Sequence, residues 1–307
     1  MTIGIPRAFL YYRYKHLWET YFQELGCQVL VSPETTKSII QTGSNYSIDE
    51  SCLSSKIYLG HVEWLIGKCD YIFIPRVATY AKTQIVCTKL WSQFDVVQNV
   101  FRSRNPRILD LNIDYVNNKT EFRAFLKVGR DLRKKRFAIL RAYFMAKQAE
   151  KMMHEKGIEE QKKLIKASSK LKILIVSHAY NIHDSFVGRP ILEQLNELGC
   201  QPVIAEIVER NEATKIAREL SPTLKWSYNQ ELLGAIDMYR GDIDGIILLT
   251  AFPCGPDSLV NEIIIRRTKD KPIISLLVDE HQGMAGLETR IESFIDIINY
   301  KLKGAVL

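Results

Sequence analysis

Short apolar runs alternate along the chain with stretches in which apolar residues return every three or four positions. Residues 2–5, 27–31, 71–76, 106–110, 171–177, 203–208, 243–249 and 272–278 read as strands, and the apolar character of 243–249 marks a strand buried on both faces. Leu10, Tyr11, Tyr14, Leu17, Tyr21, Phe22 and Leu25 share one face of a helix that Pro6 and Arg7 open and Gly26 stops. A short helix is expected from Ser32-Pro33-Glu34 to about Gly43, and others after Cys52, after Cys87, over 187–198, 227–238 and 257–267, and from Glu288 onward. The strand 71–76 should end at Pro75, which lacks an N–H for the ladder, and a loop with Thr79, Ala81 and Lys82 should follow. Strand and helix in this alternation specify parallel α/β sheets.

Residues 120–170 break the alternation. They contain no proline and are rich in Lys, Arg, Ala, Glu and Leu, so they form one or two long helices, with a break expected near Gly157. An apolar side made by Phe122, Phe125, Leu126, Leu132, Ile139, Leu140 and Tyr143 should pack on the first half. The chain therefore divides into an α/β lobe at 1–118, a helical connector at 119–170 and a second α/β lobe at 171–307. The strings Phe22-Gln23-Glu24-Leu25-Gly26-Cys27-Gln28 and Leu195-Asn196-Glu197-Leu198-Gly199-Cys200-Gln201 nearly repeat, which suggests two related halves.

Charge sharpens the picture of the connector. Between Lys119 and Lys172 stand seventeen Lys/Arg against six Asp/Glu, so one segment carries the whole excess behind the net charge of +7. A solvated helical face, acidic groups on a partner protein and the phosphates of a coenzyme all fit such a run, and nucleic acid is not expected. No apolar run is of membrane-spanning length, and Met1-Thr2-Ile3-Gly4-Ile5-Pro6 reads as a first strand with no leader pattern, so a cytoplasmic protein is expected.

Six cysteines scattered over 307 residues do not make a disulfide scaffold. The order of elements sorts them. Cys27, Cys69 and Cys200 lie between a helix and the strand that follows it, whereas Cys52, Cys87 and Cys254 follow strands or lead helices, at the edge where ligands of parallel sheets bind. Around Cys254, Phe252-Pro253-Cys254-Gly255-Pro256 is a stiff loop, and Asp257 and Ser258 are candidate caps of the next helix. Cys52 falls at a helix N-terminus, where exposed amides favour a thiolate; Lys56 one turn on would add positive charge, and His61 lies within reach of the same face. His178-Ala179-Tyr180-Asn181-Ile182-His183-Asp184, after a strand, could line a pocket. Asp279-Glu280-His281 also follow a strand, and pairing of these carboxylates with Arg290 is expected.

A phosphate-binding loop, a dinucleotide fingerprint, a nucleophile elbow and a Cys-x-x-Cys pair are all absent from the sequence. Three thiols on separate loops still suit a soft metal or an iron–sulfur cluster.

With those residues in hand, the chain resembles the acyl-CoA dehydratase activase-related family, itself similar to 2-hydroxyacyl-CoA dehydratase subunits. The resemblance is carried by Ile3-Gly4-Ile5-Pro6-Arg7-Ala8, Leu25-Gly26-Cys27, Asp49-Glu50-Ser51-Cys52 with Lys56 and Gly60-His61, Phe73-Ile74-Pro75-Arg76, Pro253-Cys254-Gly255-Pro256-Asp257-Ser258 and Thr289-Arg290-Ile291-Glu292. It implies two Rossmann-like parallel-sheet lobes and a [4Fe-4S] cluster held by Cys52, Cys87 and Cys254, with Lys56, His61, Asp257, Ser258, Glu280 and Arg290 as candidates for the surroundings. A double-cubane iron–sulfur cluster, as in some relatives, is the alternative cofactor. The resemblance further implies a separate ATP-dependent activator or related subunit that supplies one electron, and an acyl-CoA substrate that loses water by way of a ketyl radical. The activator's own phosphate-binding segments are not found here, so the chain resembles the electron acceptor. A dehydratase-like lyase, an iron–sulfur reductase, a non-catalytic electron relay and a binding partner, with or without self-association as a dimer, all remain open at this point.

Overall fold

The computed structural model describes residues 1–81, 83–281 and 284–304. They fall into two compact units, Met1–Lys156 with Lys225–Ser227, and Gly157–Leu224 with Tyr228–Leu307. Each contains a mainly parallel sheet with helices, the Rossmann-like arrangement anticipated above. Among the described residues no helix is long and apolar enough to cross a membrane.

In the first unit the elements run β1 (Thr2–Ile5), α1 (Tyr11–Glu24), β2 (Gln28–Val31), α2 (Lys37–Asn45), α3 (Leu53–Leu65), β3 (Tyr71–Ala81), β4 (Gln84–Ile85), α4 (Thr88–Trp91), α5 (Gln93–Val100), β5 (Ile108–Asp114), α6 (Glu121–Asp131) and α7 (Arg136–Ala167), the last reaching beyond the unit. The sheet is ordered β2-β1-β3-β5 in parallel, with β4 antiparallel to β3. Trp18 and Phe22 of α1 meet Phe73 of β3 edge-on, each at 5.0 Å between ring centroids, and the Tyr21 hydroxyl donates to the Phe125 carbonyl at 2.6 Å. These contacts turn the apolar face read from the sequence into the core of the unit.

Several boundaries differ from the sequence reading. α1 begins at Tyr11, because Phe9 holds a positive φ of 47° that no helix accepts. α2 begins at Lys37, where the Thr36 hydroxyl accepts from the Ile39 N–H at 3.3 Å; Ser32 is spent elsewhere. Strand β3 does not stop at Pro75. The Ile72 N–H points to β5, at 2.8 Å from the Arg107 carbonyl, so alternate N–H groups, and the one Pro75 lacks, point toward β1. But β1 pairs only as far as Ile72, so no ladder bond is lost. Thr79 and Ala81 are thereby strand residues, and Lys82 lies outside the described residues.

The helical connector is broken at residues 132–135, not near Gly157. Arg133 takes a positive φ of 55° after α6, while α7 runs through Gly157 without interruption. Phe125, Leu132 and Ile139 are buried as expected, but Phe122 is not.

The second unit continues with β6 (Lys172–Val176), α8 (Ala179–Ile182), α9 (Arg189–Glu197), β7 (Gln201–Ile204), α10 (Arg210–Leu220), α11 (Ser227–Tyr239), β8 (Gly245–Ala251), α12 (Gly255–Arg267), β9 (Ile273–Val278) and α13 (Met284–Gly304). Its sheet is all parallel, ordered β7-β6-β8-β9, and β8 is buried throughout. Helix α10 was not anticipated. The repeated heptapeptide is the same device in both units: Gly26 (φ 70°) and Gly199 (φ 73°) end α1 and α9, and the N–H groups of Cys27 and Cys200 reach back to the carbonyls of Phe22 and Leu195, each at 2.9 Å.

Candidate functional site

Both sheets place their first strand between the second and the third, so chain direction across the sheet reverses beside β1 and beside β6. Ligands of open parallel sheets bind outside the carboxyl ends of the strands at such reversals. In each unit this edge gathers polar and thiol side chains.

In the second unit the reversal lies between β6 and β8. The loop after β6 delivers His178, and the loop after β8, with its cis Phe252-Pro253 bond, delivers Cys254 and the first turn of α12. His178 Nε2 lies 2.8 Å from Asp257 Oδ1, and the Asn229 amide donates to the same oxygen at 2.8 Å. All three side chains are buried. Burial alone would raise the Asp257 carboxyl, but the charge of His178 and hydrogen bonds from His178, Asn229 and Cys254 outweigh it and hold the group below the ordinary carboxylate range. The His178 ring stacks on Tyr180 at 4.9 Å between centroids. Neither Asp257 nor Ser258 is the cap. That position is taken by Cys254, whose carbonyl accepts from the Ser258 N–H at 3.1 Å and from its hydroxyl at 2.7 Å.

Of the other pocket candidates in this unit, Asp184 Oδ1 accepts from the N–H groups of Phe186 and Val187 and shapes a turn. After β9, Asp279 accepts from the His281 N–H at 2.8 Å, and Glu280 approaches His281 at 3.9 Å. The expected partner of these carboxylates is engaged elsewhere, since Arg290 donates to the Ser275 carbonyl at 2.6 Å. That carbonyl belongs to β9.

In the first unit Cys52 is the N-cap of α3, its Sγ 3.3 Å from Ser55 Oγ, and its carbonyl accepts from the N–H groups of Ser55 and Lys56. A helix that leads back into a parallel strand runs against the sheet, so its N-terminus lies at the carboxyl edge. Lys56, one turn on, is only 5% exposed and so is a buried residue of α3. His61 is fully buried; Nε2 meets Thr35 Oγ1 at 3.0 Å while Nδ1 has no partner. Burial, then the charge of Arg7, pushes this imidazole down to about 3, so it is neutral. Arg7 itself is tied to the end of β2, through its N–H to Ser32 Oγ at 2.8 Å and its Nε to the Ser32 carbonyl at 3.0 Å. Cys87, beyond β4, is the N-cap of the single turn α4.

The three cysteines singled out by element order thus share one local geometry, an N-cap, and all are partly exposed. The others do not. Burial raises the thiols of Cys27, Cys69 and Cys200, and Cys69 fills the space left by the absent side chain of Gly4. Among the described residues no group of three or more His, Cys, Asp or Glu side chains could hold a metal ion. Sequence reasoning missed Asn229, which opens no motif, and the Arg7–Ser32 and Thr35–His61 contacts, which join residues of different loops.

No curated protein matches the chain. The solved structure of a LacI family transcriptional regulator from Arthrobacter sp. FB24 aligns over 90% of this chain and 95% of its own, at 11% identity and a TM-score of 0.22, a likeness too weak to carry any inference. A family model described as the CoA enzyme activase uncharacterised domain (DUF2229) matches residues 2–208. The chain therefore belongs to this CoA enzyme activase-related family, and its role is tied to CoA enzymes.

Proposed function

We propose that the chain is an iron–sulfur protein in which Cys52, Cys87 and Cys254 hold a [4Fe-4S] cluster. One observation carries this reading: these three thiols, and not the other three, are partly exposed helix N-caps at the carboxyl edge of a parallel sheet. The donor chemistry fits. Thiolates select iron–sulfur clusters. When bound, such a cluster supplies one-electron transfer, and a position lacking a cysteine leaves one iron open to another ligand. The protein's own contribution is to orient. Ser258 and Ser55 pin the turns that carry Cys254 and Cys52, and Asp257, on the turn after Cys254, is fixed by His178 and Asn229.

Within the CoA-enzyme role that the family shares, this reading makes the chain an electron acceptor for a separate ATP-dependent activator, acting on an acyl-CoA. Anaerobic reconstitution with iron and sulfide should load about four irons per chain with a broad visible absorption. About eight would identify a double-cubane cluster. The variant with Cys52, Cys87 and Cys254 all changed to Ala should load none, while a variant with Cys27 and Cys200 changed should load as the parent does. Unchanged iron in the first variant would remove the proposal.

A further inference from the structure

Most large apolar side chains of the described residues are buried, and α7 carries six of those that are exposed. Phe137 is 79% exposed and Phe144 63%, with Met145 and Met152 about half exposed. Their spacing of seven, one and seven residues, with 3.6 residues per turn, gathers all four within about 100° of arc on one helix face, which they share with exposed Arg141 and Gln148. Phe122 of α6, also exposed, lies 6.5 Å from Phe144 between ring centroids and extends the surface. At roughly 200 Å² for each fully exposed side chain of this size, the stripe presents on the order of 500 Å², the scale at which exposed apolar surface marks an interaction site.

The charge beside it says what covers it. Arg133, Lys134 and Lys135 immediately precede this helix and Arg136 opens it. Neighbouring cations are neutralised, Lys127 by Asp131, Arg141 by Glu24, and Lys147 by Glu121 and Glu150. Among the described residues no carboxylate pairs with these four. A second copy of the chain would bring the same cations to the interface, and bare polyanions would leave the Phe and Met side chains in water.

We propose that this face of the first unit docks an acidic amphipathic helix of a partner protein, with the partner's apolar stripe on Phe137, Phe144, Met145 and Met152 and its carboxylates on residues 133–136. The interaction is independent of iron, so it stands or falls apart from the cluster.

The probe is a fluorescent synthetic peptide of about twenty residues, helical, with Leu on one face and Glu on the others, compared by anisotropy with a scrambled peptide of the same composition. The intact chain should bind the amphipathic peptide and not the scrambled one. F137S/F144S should weaken binding about tenfold or more, and R133S/K134S/K135S/R136S should weaken it similarly and flatten its salt dependence. Phe137, Phe144, Arg133, Lys135 and Arg136 are exposed and Lys134 is half-buried, so thermal melts should stay close to the parent, and R133S/K135S/R136S, which spares Lys134, should weaken binding as well. Equal binding of the scrambled peptide would overturn the proposal, because charge alone would then suffice. So would a preference for duplex DNA or for phosphatidylglycerol vesicles over the peptide. A dimer that dissolves in F137S/F144S, seen by sedimentation equilibrium, would assign the face to a second copy and refute the assignment made here.

Discussion

His178 Nε2, at the end of β6, and Asp257 Oδ1, on the first turn of α12, lie 2.8 Å apart and are both about nine-tenths or more buried. The two loops that meet at the sheet's reversal are thus joined by one side-chain contact, which the Asn229 amide completes. Removing the carboxylate leaves two buried polar groups without an acceptor. Asp257→Ala should therefore lower unfolding free energy by about 2–4 kcal/mol in a denaturant titration, and the isosteric Asp257→Asn by clearly less. Equal losses would mean that the carboxylate is not the hub of this contact.

His61 makes stability depend on pH. Its folded-state value is depressed to about 3 from 6.5, so the neutral ring contributes stability that is complete above about 6.5 and is lost as pH falls toward 3. At pH 5 the loss should be about 2 kcal/mol relative to pH 8. His61→Gln, which cannot titrate, should flatten that part of the stability curve in melts followed by circular dichroism. A slope unchanged in the variant would place the titrating group elsewhere.

Helices α2 and α3 touch backbone to backbone. A side-chain carbon at Gly43 would stand 1.7 Å from the Lys56 carbonyl oxygen, and one at Gly60 2.0 Å from that of Ile39. Backbone cannot step aside as a side-chain tip can, so Gly43→Ala and Gly60→Ala should each cost about 3 kcal/mol or more, or prevent folding. The same change at Gly241, where nothing lies within 4 Å, should cost little by comparison.

Gly157 sits inside the continuous helix α7, and a side-chain carbon there would meet only Ile207 Cγ2 at an ordinary 3.8 Å. Gly157→Ala should stabilise the protein by about 0.5–1 kcal/mol, read as a raised melting temperature. A break at Gly157, as the sequence suggests, would instead make the change neutral or harmful.

The apolar runs alone identified most of the strands, because a strand buried in a parallel sheet has no polar face to disguise it. Helix ends were less legible. Phe9 and Arg133 adopt positive φ without being glycine, and nothing in their side chains announces it. α10 went unread because a helix with many charges and two buried alanines, Ala213 and Ala217, shows only a faint apolar face. The order of elements separated Cys52, Cys87 and Cys254 from the rest, and all three are helix N-caps. It did not reveal that Lys56 is buried, that Arg290 reaches a carbonyl, or that Asp257 faces His178 in place of capping α12.

What the residues decide by themselves is local: periodicity selects strand or helix, glycine in the left-handed region ends α1 and α9, and an extended residue ahead of a helix becomes its N-cap. Tertiary structure alone decided which polar groups meet, as with His178 and Asp257, 79 positions apart. It alone also decided that β1 stops short of Pro75, and that one face of α7 stays uncovered. Such outcomes depend on the order of strands in a sheet and on how long each one is, and neither is written in the spacing of apolar residues along one strand.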